Sequence, residues 1–325
     1  MIALIVDLET EWRGGQNQAL LTAKGILACG HDAHLVAIRD SPLARRAVQA
    51  GIQVHEVAAR AKRARAAVLL RKLLSQNKFG QYQHALKFSE RFQIPLISLE
   101  HTLPMPNWGK GRRELMRSMR GAINVFISDF SKKEWGFNFG EVIHHGVDTK
   151  LFSPGTGPRK AQLLSVVNDW KNRDWCCGFK LWQQVSASLP VLVIGDTPGL
   201  SFPAKSPADL VNSYRSSRVF LNTSLVSPVP TALLEAMSCG CACVSTATCM
   251  IPEIIENGVN GFISNDPMEL RGYAENLLRD PALAEKMGEA ARATILSNFS
   301  LESFIIQWNR VFEQARGLVY TGEIP

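Results

Sequence analysis

The chain has 325 residues, 46% of them apolar and 20% charged, a composition that excludes a disordered or fibrous protein and is ample for two domains, each with its own core. Its net charge of +7 is unevenly shared. Residues 1–150 hold 22 Lys/Arg against 13 Asp/Glu and residues 151–325 hold 14 against 16, so the whole positive excess lies in the first half.

The opening run MIALIVDLETEW has no basic leader and turns acidic after six residues, so it reads as a first buried strand and not as a secretion signal. Residues 16–28 read as a helix ending before Gly30, followed by a strand at His34–Ile38, a short helix from Pro42 and a strand at Ile52–Val54. Pro95–Leu99, Asn124–Ser128 and Val142–His144 are further short β runs separated by helical stretches. The pattern resumes with strands at Leu163–Val167, Pro190–Ile194, Val219–Asn222 and Ala242–Ser245. Alternation at this spacing predicts parallel sheets with helices on both faces, an α/β chain of two doubly wound, Rossmann-like domains. Gly, Pro and Ser in LFSPGTGPRK mark residues 153–160 as the linker between a domain at 1–152 and one at 161–299. The tail, 300–325, is helical: Ser300 can cap a helix that aligns Leu301, Phe304, Ile305, Trp308, Val311, Phe312 and Ala315. No window reaches the roughly 18 apolar residues of a membrane span.

Several chemistries are disfavoured by missing motifs. There is no G-x-G-x-x-G after the first strand, no G-x-x-x-x-G-K-[ST] and no G-x-S-x-G, which weakens dinucleotide, P-loop and α/β-hydrolase readings. An Asp-x-Asp pair for a divalent ion is also missing. The seven cysteines include the neighbours Cys176 and Cys177 and the cluster Cys239, Cys241, Cys243 and Cys249. An odd count in this arrangement is no disulfide framework and fits a reducing cytoplasm. The C-x-C-x-C run lacks zinc-loop spacing and reads as small buried side chains beside Gly240. His144 and His145, adjacent on a β run, should face opposite ways.

Three segments invite a ligand. Gly14 and Gly15 fall between the first strand and first helix, either as a tight turn or as a close approach to a phosphate at a helix N-terminus. Residues 219–264 run from a strand ending at Asn222 through a Ser/Pro loop to a helix beginning near Thr231. Amides at that helix start could hold a diphosphate, and Glu235, one turn on, could accept from a ribose diol. Residues 60–78 carry Arg60, Lys62, Arg63, Arg65, Arg71, Lys72 and Lys78 without an acid, interleaved with Ala and Leu. That stretch is either a solvated helix face or a surface for an anionic membrane or polyphosphate.

The run Leu234-Glu235-Ala236-Met237-Ser238-Cys239-Gly240, then Ile251-Pro252-Glu253 and Asn257-Gly258-Val259-Asn260-Gly261, resembles the retaining glycosyltransferases of family 4, the glycosyl transferases group 1. His145-Gly146-Val147-Asp148 with Phe152 and Pro154 is similar to the junction motif of that family, and Gly14–Gly15 and the last helix extend the likeness over most of the chain. The resemblance implies a GT-B fold whose C-terminal helix crosses back to the first domain, and metal-independent sugar transfer with retained configuration. It implies no cofactor, with a UDP- or GDP-linked sugar as donor substrate. Donor-binding positions would be Gly14, Gly15, Ser227, Thr231, Ala232, Leu233 and Glu235, with the second domain holding the nucleotide and the first shaping the acceptor site. Ser227 stands where the family carries the first glutamate of its E-x7-E pair, a departure that bears on donor choice and on activity itself. Lys171 and Arg173 are candidates for the cations that neutralise the leaving diphosphate. His101, at a strand end in SLEHTLP, either faces the donor sugar or binds a neighbouring loop; Glu100 points the other way and reads as structural. Glu253 and Asn260 are expected to brace the turn after the donor helix. The acceptor would be a glycan or lipid-linked molecule met by the basic patch Arg63, Arg65, Arg71 and Lys72, at a peripheral site on the inner membrane face. Two alternatives stay open: a DNA-modifying glycosyltransferase acting on a hydroxylated base, and a GT-B fold nucleotide-sugar-binding protein without turnover.

Overall fold

The computed structural model describes residues 2–7, 9–12, 14–57, 95–101, 103–104, 123–227 and 229–321. They form two units: Met1–Gly146 with Phe304–Pro325, and Val147–Ser303.

In the first unit, β1 (Ile2–Val6), β2 (Asp32–Ile38) and β3 (Gln53–Val57) form one parallel sheet in that order. β4 (Ile97–Glu100), β5 (Ile123–Phe126) and β6 (Glu141–Val142) form another, also parallel. The β2 run buries Leu35, Val36, Ala37 and Ile38 in succession, the pattern of a strand covered on both faces. Helix α1 spans Gly14–Ala28, two residues longer at its start than the sequence pattern predicts. α2 (Pro42–Gln49) starts at the expected Pro42, with the Ser41 hydroxyl accepting from the Ala44 amide, and α3 covers Asp129–Glu134. β6 stops at Val142, so His144 and His145 lie beyond the strand in which they were expected to alternate.

The second unit is built on one five-stranded parallel sheet: β7 (Lys160–Val166), β8 (Val191–Ile194), β9 (Ser217–Asn222), β10 (Ala242–Ser245) and β11 (Phe262–Ile263), in the order β11-β10-β9-β7-β8. Its helices are α4 (Asp174–Cys177), α5 (Phe179–Ser186), α6 (Pro207–Ser216), α7 (Thr231–Ser238), α8 (Ile251–Ile254), α9 (Pro267–Arg279) and α10 (Pro281–Asn298). Leu163, Val219, Leu221 and Val244 of the sheet pack with Trp170, Trp182, Leu270, Leu277 and Met287 in one core. The expected linker 153–160 lies within this unit. The Arg215 side chain donates to the Ser153 carbonyl and hydroxyl, both at 2.7 Å, and Lys160 already opens β7.

The last helix, α11 (Leu301–Thr321), belongs to the first unit from Phe304 onward, as the crossing-back expectation requires. Ser300 caps it, accepting from the Ser303 amide at 3.2 Å, and Phe304, Trp308, Val311, Phe312 and Ala315 are its buried stripe. It lies on α1 so closely that a Cβ on Gly25 would come within 2.8 Å of Ile305. His31 and Glu313 pair across the same contact at 3.6 Å. Among the described residues no helix is long and apolar enough to cross a membrane.

Candidate functional site

In an open parallel sheet the carboxyl ends of the strands are where side chains and helix N-termini converge. β7 and β9 are neighbours in the second unit, with Leu164 opposite Phe220, so the loops after Val166 and Asn222 leave the same edge. Those loops carry the predicted Lys171/Arg173 pair and the Ser227–Glu235 segment, and α4 stitches them together. The Cys176 carbonyl accepts from the amides of Leu225 and Val226 at 2.9 and 3.1 Å, and the Thr223 hydroxyl lies within hydrogen-bonding distance of the Cys177 and Gly178 carbonyls.

The loop after β9 is fixed by hydroxyl and amide side chains. Asn222 Nδ2 donates to Ser245 Oγ at 2.8 Å, Ser224 Oγ to Asn222 Oδ1 at 2.7 Å, and the Thr246 and Thr248 hydroxyls both to the Ser224 carbonyl at 2.6 Å. It delivers the chain to α7 behind Pro230, a residue with no side-chain donor or acceptor to cap the helix. The Leu233 and Leu234 amides turn back onto the Pro230 carbonyl. Thr231 and Ala232 are half-buried, Leu233 is buried, and Ser227 is half-buried before Pro230. An uncapped, positively polarised helix start is thus what Thr231, Ala232 and Leu233 form, with Ser227 in the loop before it.

Glu235 lies on the same helix. Its Oε2 accepts from the Tyr214 hydroxyl at 2.9 Å, while Oε1 makes no hydrogen bond among the described residues. Burial pushes the Glu235 carboxyl up to about 7, and the Tyr214 hydrogen bond holds it back from rising further. Tyr214 itself is fully buried, and burial drives its hydroxyl well above the ordinary value. Behind it, the Arg159 guanidinium donates to the carbonyls of Tyr214 and Ser217 at 2.9 Å and to that of Cys239. The clustered thiols serve this packing: Cys241 Sγ donates to the Tyr214 carbonyl at 3.1 Å. Burial raises Cys239 to about 12 and Cys241 to about 11, so they stay protonated and poor metal ligands. Among the described residues no group of three His, Cys, Asp or Glu is placed to hold a metal ion.

Lys171 is exposed and Arg173 half-buried. Lys171 Nζ reaches the Pro198 carbonyl at 3.1 Å and Arg173 the Asn168 carbonyl at 3.2 Å, which leaves further donor capacity on each cation. The turn that presents them is tied down by Asp196, which accepts from the Asp169 amide at 2.6 Å, and by Thr197, which accepts from the Trp170 amide at 2.9 Å.

The first unit supplies a separate set. Gly15 has neither a positive φ nor any atom within 4 Å of where a Cβ would stand, so the protein's own backbone gives no reason for glycine there. Gly14 opens α1 beside it. At the end of β1, Asp7 accepts from Gln16 Nε2 at 3.0 Å, and burial raises its carboxyl. His101 follows β4, and its Nδ1 lies 3.3 Å from His145 Nε2. Burial lowers His101 to about 4 and His145 well below the ordinary value, so both rings are neutral at pH 7. Glu100 is buried and accepts from the Ser98 hydroxyl at 3.2 Å, in keeping with a structural part. Asn260 braces its turn as expected, bonding the Glu256 amide, the Ile254 carbonyl and the Thr294 hydroxyl. Arg63, Arg65, Arg71 and Lys72 lie outside the described residues.

Residues 200–294 match the family described as glycosyl transferases group 1, and that stretch contains the whole Ser227–Glu235 segment. This part of the chain is similar to the glycosyl transferases group 1. N-acetyl-alpha-D-glucosaminyl L-malate synthase of Bacillus anthracis is 35% identical over 168 residues, 51% of this chain and 38% of that protein. Alpha-maltose-1-phosphate synthase of Mycobacterium tuberculosis is 32% identical over 93 residues, 26% of this chain and 24% of the relative. The chain thus covers well under half the length of these relatives. Solved structures cover nearly all of it: HepE of Anabaena in complex with UDP superposes with a TM-score of 0.80 over 96% of this chain and 99% of its own, at 16% identity. Sucrose-phosphate synthase of Thermosynechococcus elongatus gives 0.71 over 97% and 99%, at 14% identity. These likenesses give the fold as GT-B.

His145 enters the sequence reading only through the junction motif and its neighbour His144; Tyr214, Arg159 and Gln18 are missed by it. Each of these three acts on a residue far away in the chain, and nothing local marks it.

Proposed function

We propose that the chain is a retaining glycosyltransferase that moves a sugar from a nucleotide diphosphate sugar to an acceptor, without a metal ion or cofactor. The carrying observation is the uncapped start of α7 with Glu235 one turn on, its free Oε1 set by the Tyr214 hydrogen bond, inside the family-matched segment. In this reading Glu235 accepts from the ribose diol, and the amides of Thr231 and Ala232 face the diphosphate. Gly14 and Gly15 let a phosphate approach the α1 backbone. Lys171 and Arg173 take up the charge that builds on the departing diphosphate, the electrostatic task a metal would otherwise perform. His101 meets the donor sugar. The HepE structures with UDP and with UDP-glucose support a uridine nucleotide as the first donor to try.

For the acceptor, the charge excess of residues 1–150 favours an anionic or lipid-linked glycan reached from a cytoplasmic membrane face, through Arg63, Arg65, Arg71 and Lys72. Calorimetric titration with UDP, GDP, ADP and their glucose conjugates, followed by acceptor-free hydrolysis of the sugar that binds, tests the donor reading. Binding of one nucleotide with slow turnover is the expected result. Binding without turnover would instead favour the non-catalytic alternative that Ser227 keeps open, and no binding would remove both. Sedimentation with anionic vesicles and gel shift with duplex DNA, at matched ionic strength, separates the acceptor classes.

A further inference from the structure

The His101–His145 contact carries information about protons as well as position. The Nδ1 of His101 and Nε2 of His145 are 3.3 Å apart, with ring centroids at 5.4 Å and planes tilted by 49°. One nitrogen must donate and the other accept, since both rings are neutral. Two arrangements satisfy the contact. If His101 donates from Nδ1, His145 must carry its own proton on Nδ1. That nitrogen is buried and has no hydrogen-bond partner among the described residues, so its N–H would be orphaned. If His145 donates from Nε2, the orphan on Nδ1 is only a lone pair, and buried N–H groups without partners are the rarer defect. The second arrangement wins, and it fixes His101 as well: with Nδ1 accepting, its proton sits on Nε2. His101 is partly exposed, and among the described residues its one hydrogen bond is that to His145 through Nδ1.

The backbone around His145 is held for this purpose. Gln18, one turn into α1, donates from Nε2 to the Gly146 carbonyl and accepts at Oε1 from the Gly146 amide, both at 3.1 Å. Phe304 of α11 closes over Gly146, where a Cβ would come within 2.8 Å of its ring. The backbone that carries His145 is thus pinned at Gly146 by a two-bond clamp.

We infer that His145 is a positioning residue that donates from Nε2 to His101 Nδ1, locking His101 as an Nε2–H donor toward an oxygen of the bound nucleotide sugar. The ligand part of this rests on the proposed function; the proton arrangement does not.

The test is nitrogen NMR of the full chain with 15N-histidine, at neutral pH, on wild type and on His145→Gln and His145→Leu. Glutamine places an N–H near the position of Nε2, and leucine removes the donor at similar volume. Wild type should show both rings protonated on Nε2 only. His145→Gln should keep that tautomer at His101, and His145→Leu should turn it into a mixture. Turnover of the nucleotide sugar should fall at least about tenfold in His145→Leu, with affinity for the free nucleoside diphosphate unchanged, since only an orienting contact is lost. A proton on His145 Nδ1 in wild type overturns the inference directly, whatever the variants do. So does an unchanged His101 tautomer in His145→Leu, or a His145→Gln that behaves like leucine. The expected tautomers in a protein that binds no nucleotide would leave the proton arrangement standing and defeat the donor reading.

Discussion

The Tyr214 hydroxyl donates to Glu235 Oε2 at 2.9 Å, joining α6 to the start of α7 across 21 residues of sequence. This bond does two things at once: it aims the carboxylate, and it offsets part of the burial that would otherwise keep the group protonated. The consequence is a carboxyl that changes charge near neutrality, at the position the proposed function assigns to the ribose.

Glu235→Ala should weaken nucleotide-sugar binding by about 1.5–3 kcal/mol, the range for a hydrogen bond to a charged group. Isothermal calorimetry reads this directly, and an unchanged dissociation constant would take Glu235 out of the site.

Stability should respond to pH through the same residue. The folded pKa of Glu235, about 7, lies above its ordinary value of 4.5. At low pH both folded and unfolded chains hold the proton; between the two values only the folded chain does. The favourable contribution of the neutral group is therefore complete below pH 4.5 and lost as pH rises through 7. Glu235→Gln should match wild type at pH 4 and exceed it at pH 8 by something on the order of 1–3 kcal/mol. Urea melts at the two pH values provide the comparison, and a constant difference between them would refute the assignment.

Lys171→Ala and Arg173→Ala should lower kcat more than they weaken ground-state binding, because diphosphate charge grows toward the transition state. A double variant within a few-fold of wild type in kcat would place the leaving-group cations elsewhere.

Gly195→Ala should destabilise the second unit by about 2–4 kcal/mol. Gly195 has φ of 147°, and a Cβ there would lie 1.9 Å from the Val167 carbonyl oxygen. The strands on either side cannot yield, because the Val167 amide is already bonded to the Ile194 carbonyl at 2.9 Å. A thermal melt indistinguishable from wild type would contradict this.

Chelation should leave turnover intact. The sequence has no Asp-x-Asp pair, and the clustered thiols are held protonated by burial. Loss of activity in EDTA with rescue by manganese or magnesium would overturn that expectation.

The sequence by itself determined the alternation of strands and helices, the parallel sheets, the cap at Ser300 and the stripe of α11, because each is a local period or a neighbour effect. It also marked Glu235 beside a helix start and, through the family resemblance, Lys171 and His101 beyond strand ends. What it could not determine were the partners that give those residues their chemistry. Tyr214 reaches Glu235 from another helix, Gln18 clamps Gly146 across 128 positions, and His145 meets His101 across 44. His145 shows the reason most plainly. Read as part of a strand it should simply alternate with His144, but β6 ends at Val142, and the chain beyond it is steered by contacts with α1 and α11. Burial, and with it the protonation state of each group, is set by which distant segments close over a side chain. That is decided only when the sheets and helices pack.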